Sequence, residues 1–186
     1  MLAGACLSRR MALVCLLGRH GSGKSTIGGD LIAHGYQHTS VGTLRRLAQA
    51  AQFPSDVPAA LMMAMRRERA GSPMSASTAR KLVDYASKAH KAVLDGFPSC
   101  VEHIALLPAD TLFCVVWTPA QLRLQRLEHR SEITKRVWTP GLHSEREATL
   151  PVLLSTLRRT RRCIFVTNGS TREAAVAEML GKLAAI

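Results

Sequence analysis

The chain has 186 residues, of which 47% are hydrophobic and 4% aromatic, and its formal net charge is +12. This length and apolar content suit one folded domain and exclude a disordered chain, while the lack of any charge-free apolar run of about 18 residues excludes a membrane-spanning helix. The positive charge indicates an anionic partner, either nucleotide phosphates, nucleic acid or an acidic membrane surface.

The start of the chain and its cysteines bear on the compartment. The first ten residues end in Ser8-Arg9-Arg10 but are very short for a targeting segment and show no clear cleavage signal. The five cysteines form no C-x-x-C pair, which argues against a disulfide framework or a zinc site. Cys15, Cys114 and Cys163 lie in or beside apolar runs and are expected to be buried thiols. We therefore expect a cytoplasmic protein.

Four apolar runs bounded by turn residues predict strands, at residues 11–17, 93–94, 112–117 and 163–166. The segments between them are interpreted as helices, at residues 24–33, 41–51, 57–70, 77–91, 120–130, 145–159 and 172–183. This alternation predicts an α/β fold with three layers, a parallel sheet covered by helices on both faces. We expect a single domain over residues 1–186, with its ligands at the carboxyl ends of the strands.

A phosphate-binding motif follows the first predicted strand and opens a helix. Residues 18–25, GRHGSGKS, match G-x-x-x-x-G-K-[ST] in full. Glycines let consecutive backbone N–H groups converge on an anion, and the helix N-terminus adds partial positive charge. We expect Lys24 to reach the β- and γ-phosphates of ATP and Ser25 to bind Mg²⁺. The predicted ATP-binding residues are Gly18, Gly21, Ser22, Gly23, Lys24, Ser25 and Thr26.

The phosphate loop identifies a nucleoside triphosphate site but not the reaction. GTPases usually carry a guanine-reading N-K-x-D motif, and none occurs here, where Asn168 is followed by Gly169. Asp95 follows a predicted buried strand, where a carboxylate can hold Mg²⁺ through water. The alternative for Asp95 is a turn residue before Gly96.

Two further segments, 35–46 (GYQHTSVGTLRR) and 93–98 (VLDGFP), follow the loop in the chain. With the loop, they make the sequence resemble the adenylate kinase-like nucleoside monophosphate kinases over nearly its whole length. That family is characterised by a phosphate loop, a Ser-Thr-Gly-Asp-hydrophobic-x-Arg segment and Asp-Gly-Phe-Pro-Arg after a strand. The resemblance implies a P-loop kinase fold that uses ATP and Mg²⁺, with an acceptor-binding insertion at 41–75. Only residues 131–144 lie between Arg130 and the next predicted helix, so we expect a short lid there, in contrast to the family pattern.

The resemblance also implies roles on the acceptor side. Arg46 corresponds to the arginine that holds the acceptor's phosphate, a task that suits a bidentate guanidinium, and Gly42 belongs to the same segment. Gly71 and Met74 resemble the segment whose backbone closes the acceptor site, although Ser75 or Ser77 can equally serve as a helix N-cap there. Asp95 and Gly96 complete the predicted acceptor and metal site.

On the donor side, Arg126 and Arg130 match the family's Arg-x-x-x-Arg, which contacts ATP and its transferring phosphates. The two arginines are four residues apart and project from one helix face, although the nearby Arg123 would look similar and a solvated basic face is the alternative. Gly169 resembles the loop that packs on adenine, and a plain turn is the alternative reading of it.

Several positions depart from the family pattern. Ser99 replaces the arginine after Asp-Gly-Phe-Pro, and His103 replaces the glutamine that reads adenine in AMP. Val41 and Thr43 stand where the family has Thr and Asp. These changes fall mostly on the acceptor side, so the sequence leaves the acceptor open. In the lid, Arg136 and Arg146 are candidates to contact the transferring phosphoryl group, with surface charge as the alternative.

The favoured function is phosphoryl transfer from ATP to a small phosphate-bearing acceptor, foremost a nucleoside monophosphate. One alternative is an ATPase or nucleotide-binding protein that has lost the acceptor. Another is a different small-metabolite kinase, for example one like dephospho-coenzyme A kinase. A nucleic-acid-associated enzyme, indicated by the net charge and by the arginine clusters at 66–69 and 158–162, is less favoured because such runs are usually solvated helix faces. We expect a monomer with nucleotide substrates and no membrane association.

Overall fold

The computed structural model describes residues 13–69, 72–134 and 140–186, with side chains described from residue 147 onward in the last range. Its strands are β1 Val14–Leu17, β2 Gln37–Ser40, β3 Ala92–Asp95, β4 Leu112–Trp117 and β5 Arg162–Thr167. Its α-helices are α1 Lys24–Asp30, α2 Val41–Gln49, α3 Ala59–Arg67, α4 Ala76–Ala86, α5 Ala120–Thr134, α6 Pro140–Thr160 and α7 Arg172–Ala184. Short 3-10 helices cover Leu31–His34 and Val101–Leu106.

The five strands form one parallel sheet in the order β2-β3-β1-β4-β5. The central strand β1 is buried along its whole length. Because side chains alternate across a strand, Cys15 and Leu17 face one side of the sheet while Val14 and Leu16 face the other. The predicted three-layer α/β fold with a parallel sheet is confirmed.

Each face of the sheet has its own helical cover. Helices α2, α3, α4 and α6 pack on the face that includes Cys15. Helices α1 and α7 pack on the face that includes Leu16. Removing a Leu or Val side chain from water stabilises the fold by roughly 1.5–3 kcal/mol, so the buried strands hold the carboxyl edge of the sheet in place.

Strand β2 is an element that the sequence pattern does not predict. Its sequence Gln37-His38-Thr39-Ser40 has no apolar run, and only Thr39 is fully buried. The strand forms because its backbone pairs with β3, where Ser40 lies opposite Asp95. This pairing brings the segment before α2 to the carboxyl edge of the sheet.

The predicted lid differs from the structure. The loop expected over 131–144 is helical at 131–134, where α5 continues, and again from Pro140, where α6 begins. Residues 135–139, including Arg136, lie outside the described residues, as do the side chain of Arg146 and the residue Gly71. The sequence pattern predicts both helices to be shorter than they are, because this segment is polar and its composition does not indicate that the helices continue.

Cys15 and Cys114 are buried thiols as expected, whereas the burial expected for Cys163 is only partial, because it lies on the edge strand β5. Burial raises the pKa of Cys15 far above its ordinary value and that of Cys114 to about 12. Cys163 is half-buried and its pKa is also raised by burial. Within the described ranges, no helix is long and apolar enough to cross a bilayer.

Candidate active site

The phosphate motif forms the turn between β1 and α1, as its sequence context predicts. Gly18, Gly21 and Gly23 all have positive φ angles, of 144°, 76° and 85°. At Gly23 the turn also lacks room for a side chain, because a Cβ there would stand 2.3 Å from Asn168 Nδ2. The loop therefore requires glycine here for its conformation and for the close approach of the β5 end.

Lys24, the first residue of α1, folds back over the loop. Its ammonium donates to the carbonyls of Gly18 at 2.7 Å and Arg19 at 2.8 Å, and to Ser22 Oγ at 3.3 Å. Burial lowers the pKa of Lys24, and the negative charges of Asp95 and Glu147 partly oppose that shift. The lysine is thus held at the mouth of the phosphate loop by backbone oxygens, where it can bind an incoming anion.

The next residue, Ser25, contacts the acid at the end of β3. Ser25 Oγ donates to Asp95 Oδ2 at 2.5 Å, and Ser40 Oγ donates to the same oxygen at 3.3 Å. Asp95 is only 4% exposed. A hydroxyl and a carboxylate oxygen are ligands suited to Mg²⁺, so these two residues fit the metal role predicted for them.

A chain of hydrogen bonds continues from Asp95 to the acceptor helix α2. Thr43 Oγ1 donates to Ser40 Oγ at 3.3 Å, and Arg46 Nη2 donates to Thr43 Oγ1 at 2.9 Å. In each of these hydrogen bonds the donor is the group nearer Arg46 and the acceptor is the group nearer the Asp95 carboxylate. It joins Arg46, the predicted acceptor arginine, to the predicted metal site.

The two arginines of α2 have different surroundings. Arg45 donates to the carbonyls of Ser72 at 3.0 Å and Arg69 at 2.7 Å, which ties the segment after α3 to α2. Arg46 is exposed, and a Cβ at Gly42 would lie 3.4 Å from Arg46 Nη1. Glycine at position 42 therefore leaves space beside the Arg46 guanidinium, which faces the same end of the sheet as Ser40.

Arg126 lies on the other side of the phosphate loop, on α5. Its Nη2 donates to Asn168 Oδ1 at 3.4 Å, while its buried Nη1 has no hydrogen-bond partner among the residues that the structure describes. Nη1 lies 3.5 Å from the place of a Cβ at Gly23. A buried guanidinium N–H that lacks an acceptor is costly, and its position beside the loop fits an anion such as a phosphate.

The remaining predicted donor residues lie at the same edge. Arg130 is one turn after Arg126 on α5, half-buried, and its charge contributes to the lowered pKa of Lys24. Thr26 is exposed in the first turn of α1. Gly169 follows β5 and is exposed, and a Cβ there would lie 3.5 Å from Pro119 Cδ. The structure therefore brings these residues to the carboxyl edge of the sheet, where the phosphate loop lies.

The acceptor-side backbone segment is already engaged within the fold. The Met74 carbonyl lies 3.0 Å from His103 Nε2, and Met74 itself is buried. Ser75 is the N-cap of α4, because its Oγ accepts from Thr78 N at 3.4 Å. The N-cap alternative is thus the observed role of Ser75. Gly96, with φ of 82°, turns the chain directly after Asp95.

Two polar residues near the loop were not assigned a side-chain role from the sequence. Asn168 Nδ2 donates to the Ser22 carbonyl at 2.9 Å, and Thr118 Oγ1 lies 3.1 Å from the same oxygen. Both follow strands directly, Thr118 after β4 and Asn168 after β5. Their position just after two predicted strands is the sequence signal that indicates them.

Two charged residues on the α5–α6 side were also missed. Glu147 Oε1 accepts from the backbone N–H of His20 at 3.0 Å, and Arg123 Nη1 donates to the His20 carbonyl at 3.0 Å. Arg123 looks like a surface arginine in the sequence, and Glu147 is 127 residues from His20. No local signal indicates either contact.

Two arginines of the basic cluster at 158–162 contact other parts of the fold. Arg161 donates to the carbonyls of Pro108, Ala109 and Ile104. The Arg158 guanidinium lies 4.7 Å from the ring centre of Phe165. Both arginines therefore have structural partners within the fold.

Comparison with solved structures establishes the fold. A gluconokinase from Sinorhizobium meliloti 1021 is similar over 95% of this chain and 94% of its own, with a TM-score of 0.60 and 19% identity. A sugar kinase from Janibacter sp. HTCC2649 is similar over 94% of this chain and 95% of its own, with a TM-score of 0.61 and 16% identity. No family model and no curated protein matches the sequence. The chain therefore has the P-loop kinase fold, and function at this level of identity is a separate question.

Proposed function

We propose that the protein is an ATP-dependent kinase that transfers the γ-phosphoryl group to a small anionic metabolite. The observation that carries this proposal is the hydrogen-bonded chain Ser25–Asp95–Ser40–Thr43–Arg46. A phosphate loop alone serves ATPases as well as kinases. A continuous chain from the loop to an exposed arginine on α2 supports a second substrate site beside the first.

The donor site would hold ATP through backbone and cationic groups. The loop amides and the N-terminus of α1 attract the phosphates, and Lys24 can exchange its carbonyl contacts for phosphate oxygens. Arg126 supplies the buried Nη1 donor, which lacks a partner within the described part of the chain. Arg130, one turn further along α5, adds positive charge near Lys24.

Ser25 and Asp95 would hold Mg²⁺, directly or through its water shell. Their contact shows a hydroxyl and a carboxylate oxygen at 2.5 Å, a donor set typical of a hard cation. When bound, Mg²⁺ neutralises charge on the β- and γ-phosphates. Ser40 orients Asp95 by donating to the same carboxylate oxygen.

In the proposed reaction an oxygen of the acceptor forms a bond to the γ-phosphorus while the bond to the β–γ bridging oxygen breaks, and ADP leaves. A monophosphate acceptor would react as its oxyanion, whereas a hydroxyl acceptor would release its proton to water. The enzyme's task is to align the two substrates and to balance charge. Arg46, held by Thr43, would bind the anionic group of the acceptor with its planar guanidinium. The hydrogen-bonded chain keeps this arginine at a set position relative to Asp95.

Two classes of acceptor have specific support. A nucleoside monophosphate is supported by the resemblance in residues 35–46 and 93–98 and by Arg46. A sugar acid is supported by the similar gluconokinase and by His103, which occupies the position of the family's base-reading glutamine. His103 is 2% exposed and engages Met74 and Ser99 with its two ring nitrogens, so it presents no polar edge to a base.

The test is a product assay with Mg-ATP and a panel of nucleoside monophosphates and aldonic acids. We expect ADP to form together with an equal amount of one phosphorylated acceptor. ADP formation at the same rate with and without every acceptor would contradict the kinase proposal and favour an ATPase. Lys24→Ala provides the blank, because all of these reactions need the loop lysine.

A further inference from the structure

We propose that Glu147 and Arg123 are positioning residues for nucleotide binding, which clamp the tip of the phosphate loop from the α5–α6 side. We call these two side chains and the His20 backbone the His20 clamp. The inference rests on the proposed function only in that its ligand is a nucleoside triphosphate. It assigns to Glu147 and Arg123 a role in shaping the loop, without direct contact to phosphate.

The first part of the clamp is the peptide group between Arg19 and His20. In a trans peptide the C=O and N–H point in opposite directions. Lys24 Nζ donates to the Arg19 carbonyl at 2.8 Å on one side, and Glu147 Oε1 accepts from the His20 N–H at 3.0 Å on the other. This peptide group is therefore held between a cation and an anion, both of which strengthen its hydrogen bonds.

The second part is the next peptide group, whose carbonyl belongs to His20. Arg123 Nη1 donates to that carbonyl at 3.0 Å and lies 3.5 Å from Glu147 Oε1. The side chains of Arg123 and Glu147 are 11% and 22% exposed, so water screens the pair only weakly. Each partner keeps the other in place, and both of the polar backbone groups of His20 are fixed.

The clamp acts where the loop already lies tightly against α5. A Cβ at Gly21 would stand 2.7 Å from the Arg123 carbonyl and 3.0 Å from Leu127 Cγ. The loop backbone therefore approaches the helix as closely as glycine permits. Glu147 contacts the same loop from α6, a helix that is distant in sequence.

The consequence concerns the entropy of the loop. A glycine-rich loop has many conformations, and ordering it when a ligand binds lowers affinity. Fixing both peptide groups beside His20 in advance reduces that cost. Removing the Glu147 carboxylate would also leave the His20 N–H without its acceptor in a half-buried position. We therefore expect the clamp to raise the affinity for nucleotide.

The experiment measures Mg-ATP binding by calorimetry for the wild type, Glu147→Ala and Glu147→Gln. Glu147→Ala is expected to bind about tenfold more weakly. Glu147→Gln keeps an oxygen that can accept from His20 and is expected to stay within about threefold of the wild type. Glu132→Ala, an exposed change on α5, is the matched control and should bind like the wild type.

Amide hydrogen exchange supplies a readout that a general loss of stability would not produce. In Glu147→Ala the His20 amide is expected to exchange faster, while amides of the buried strand β1 keep their wild-type rates. Arg123→Ala combined with Glu147→Ala is expected to weaken binding by less than the product of the single effects, because both act on the same two peptide groups.

Three results would overturn the proposal. One is wild-type affinity in Glu147→Ala. Another is tighter binding in both Glu147 variants, which would show that the carboxylate competes with phosphate. The third is a loss of affinity that accompanies faster exchange throughout the sheet. If the wild type binds Mg-ATP and the variants follow any of these patterns, the kinase proposal still stands; a wild type that does not bind Mg-ATP would contradict both.

Discussion

Ser99 Oγ lies 3.3 Å from Nδ1 of His103, so the loop after β3 is hydrogen-bonded to the 3-10 helix that follows it. The other ring nitrogen of His103 reaches the Met74 carbonyl at 3.0 Å. The ring is also stacked on Phe97, with centroids 4.9 Å apart. His103 thus connects three segments around the proposed acceptor site while being nearly inaccessible to water.

This burial predicts that acid destabilises the fold through His103. Burial lowers the pKa of His103, and the hydrogen bond to Met74 and the charges of Glu102 and Glu68 oppose that shift only in part. The unfolded chain takes up the proton near the ordinary pKa of about 6.5, before the folded chain does. The free energy of unfolding should therefore fall as the pH drops below about 6.5, by at most about 1.4 kcal/mol per pH unit for this one group.

Urea unfolding of the wild type and His103→Gln at pH 7.5 and 5.5 checks this prediction. We expect the variant to be less stable at pH 7.5 but to lose less stability between the two pH values. His38, whose pKa is also lowered by burial, is present in both proteins and cancels in the comparison. An equal loss of stability in both proteins would show that His103 does not carry the effect.

Gly23→Ala is expected to disrupt the phosphate loop. The position has φ of 85°, and a Cβ there would meet Asn168 Nδ2 at 2.3 Å. We expect a loss of about 1–3 kcal/mol in stability and at least about tenfold weaker ATP binding, measured by urea unfolding and calorimetry. Gly29→Ala is the matched control, since nothing lies within 4 Å of a Cβ there. That variant should bind ATP normally and be about 0.5–1 kcal/mol more stable.

Asp95→Asn is expected to impair the metal site. The substitution removes the negative charge that faces Ser25 and Ser40 but keeps the size of the side chain. We expect kcat to fall on the order of 100-fold and the Mg²⁺ concentration for half-maximal activity to rise. Steady-state assays over a range of Mg²⁺ concentrations measure both. Asp110→Asn, at an exposed site, should leave both values unchanged; an unaltered Mg²⁺ dependence in Asp95→Asn would argue against the metal role.

Arg46→Ala is expected to act on the acceptor alone. Arg46 is the exposed end of the hydrogen-bonded chain, so its loss should raise the acceptor KM by about 10- to 100-fold. The KM for ATP should change by less than about threefold. Arg46→Lys should restore only part of the affinity, because an ammonium does not form the bidentate contact. Arg66→Ala on α3 is the control, and equal effects of Arg46→Ala on both substrates would contradict the assignment.

The strands with continuous apolar runs and the phosphate loop could be predicted from the sequence. The run ending at Leu17 and the motif from Gly18 to Ser25 are local patterns, and each specifies its own backbone conformation. Asp95 could be predicted because it directly follows the apolar run of a buried strand, of which it is the last residue. These features depend on residues close together in the chain, so no knowledge of packing is needed to see them.

Strand β2 and the ends of α5 and α6 could not be predicted in the same way. Gln37–Ser40 is extended because its backbone pairs with β3, and its own residues carry no apolar pattern. The continuation of α5 to Thr134 lies in a polar segment that resembles a loop. In both cases the deciding hydrogen bonds come from the partner strand or from the helix itself, and side-chain pattern gives little indication of them.

The sequence by itself determined the α/β class, the phosphate loop and the edge of the sheet where chemistry is to be sought. Only the tertiary structure decided that Ser40 and Thr43 connect Asp95 to Arg46, that His103 is a buried connector, and that Glu147 reaches His20 across 127 residues. The physical reason is that apolar periodicity and glycine conformation are local properties. The hydrogen-bond partners of a polar side chain depend on which elements pack together.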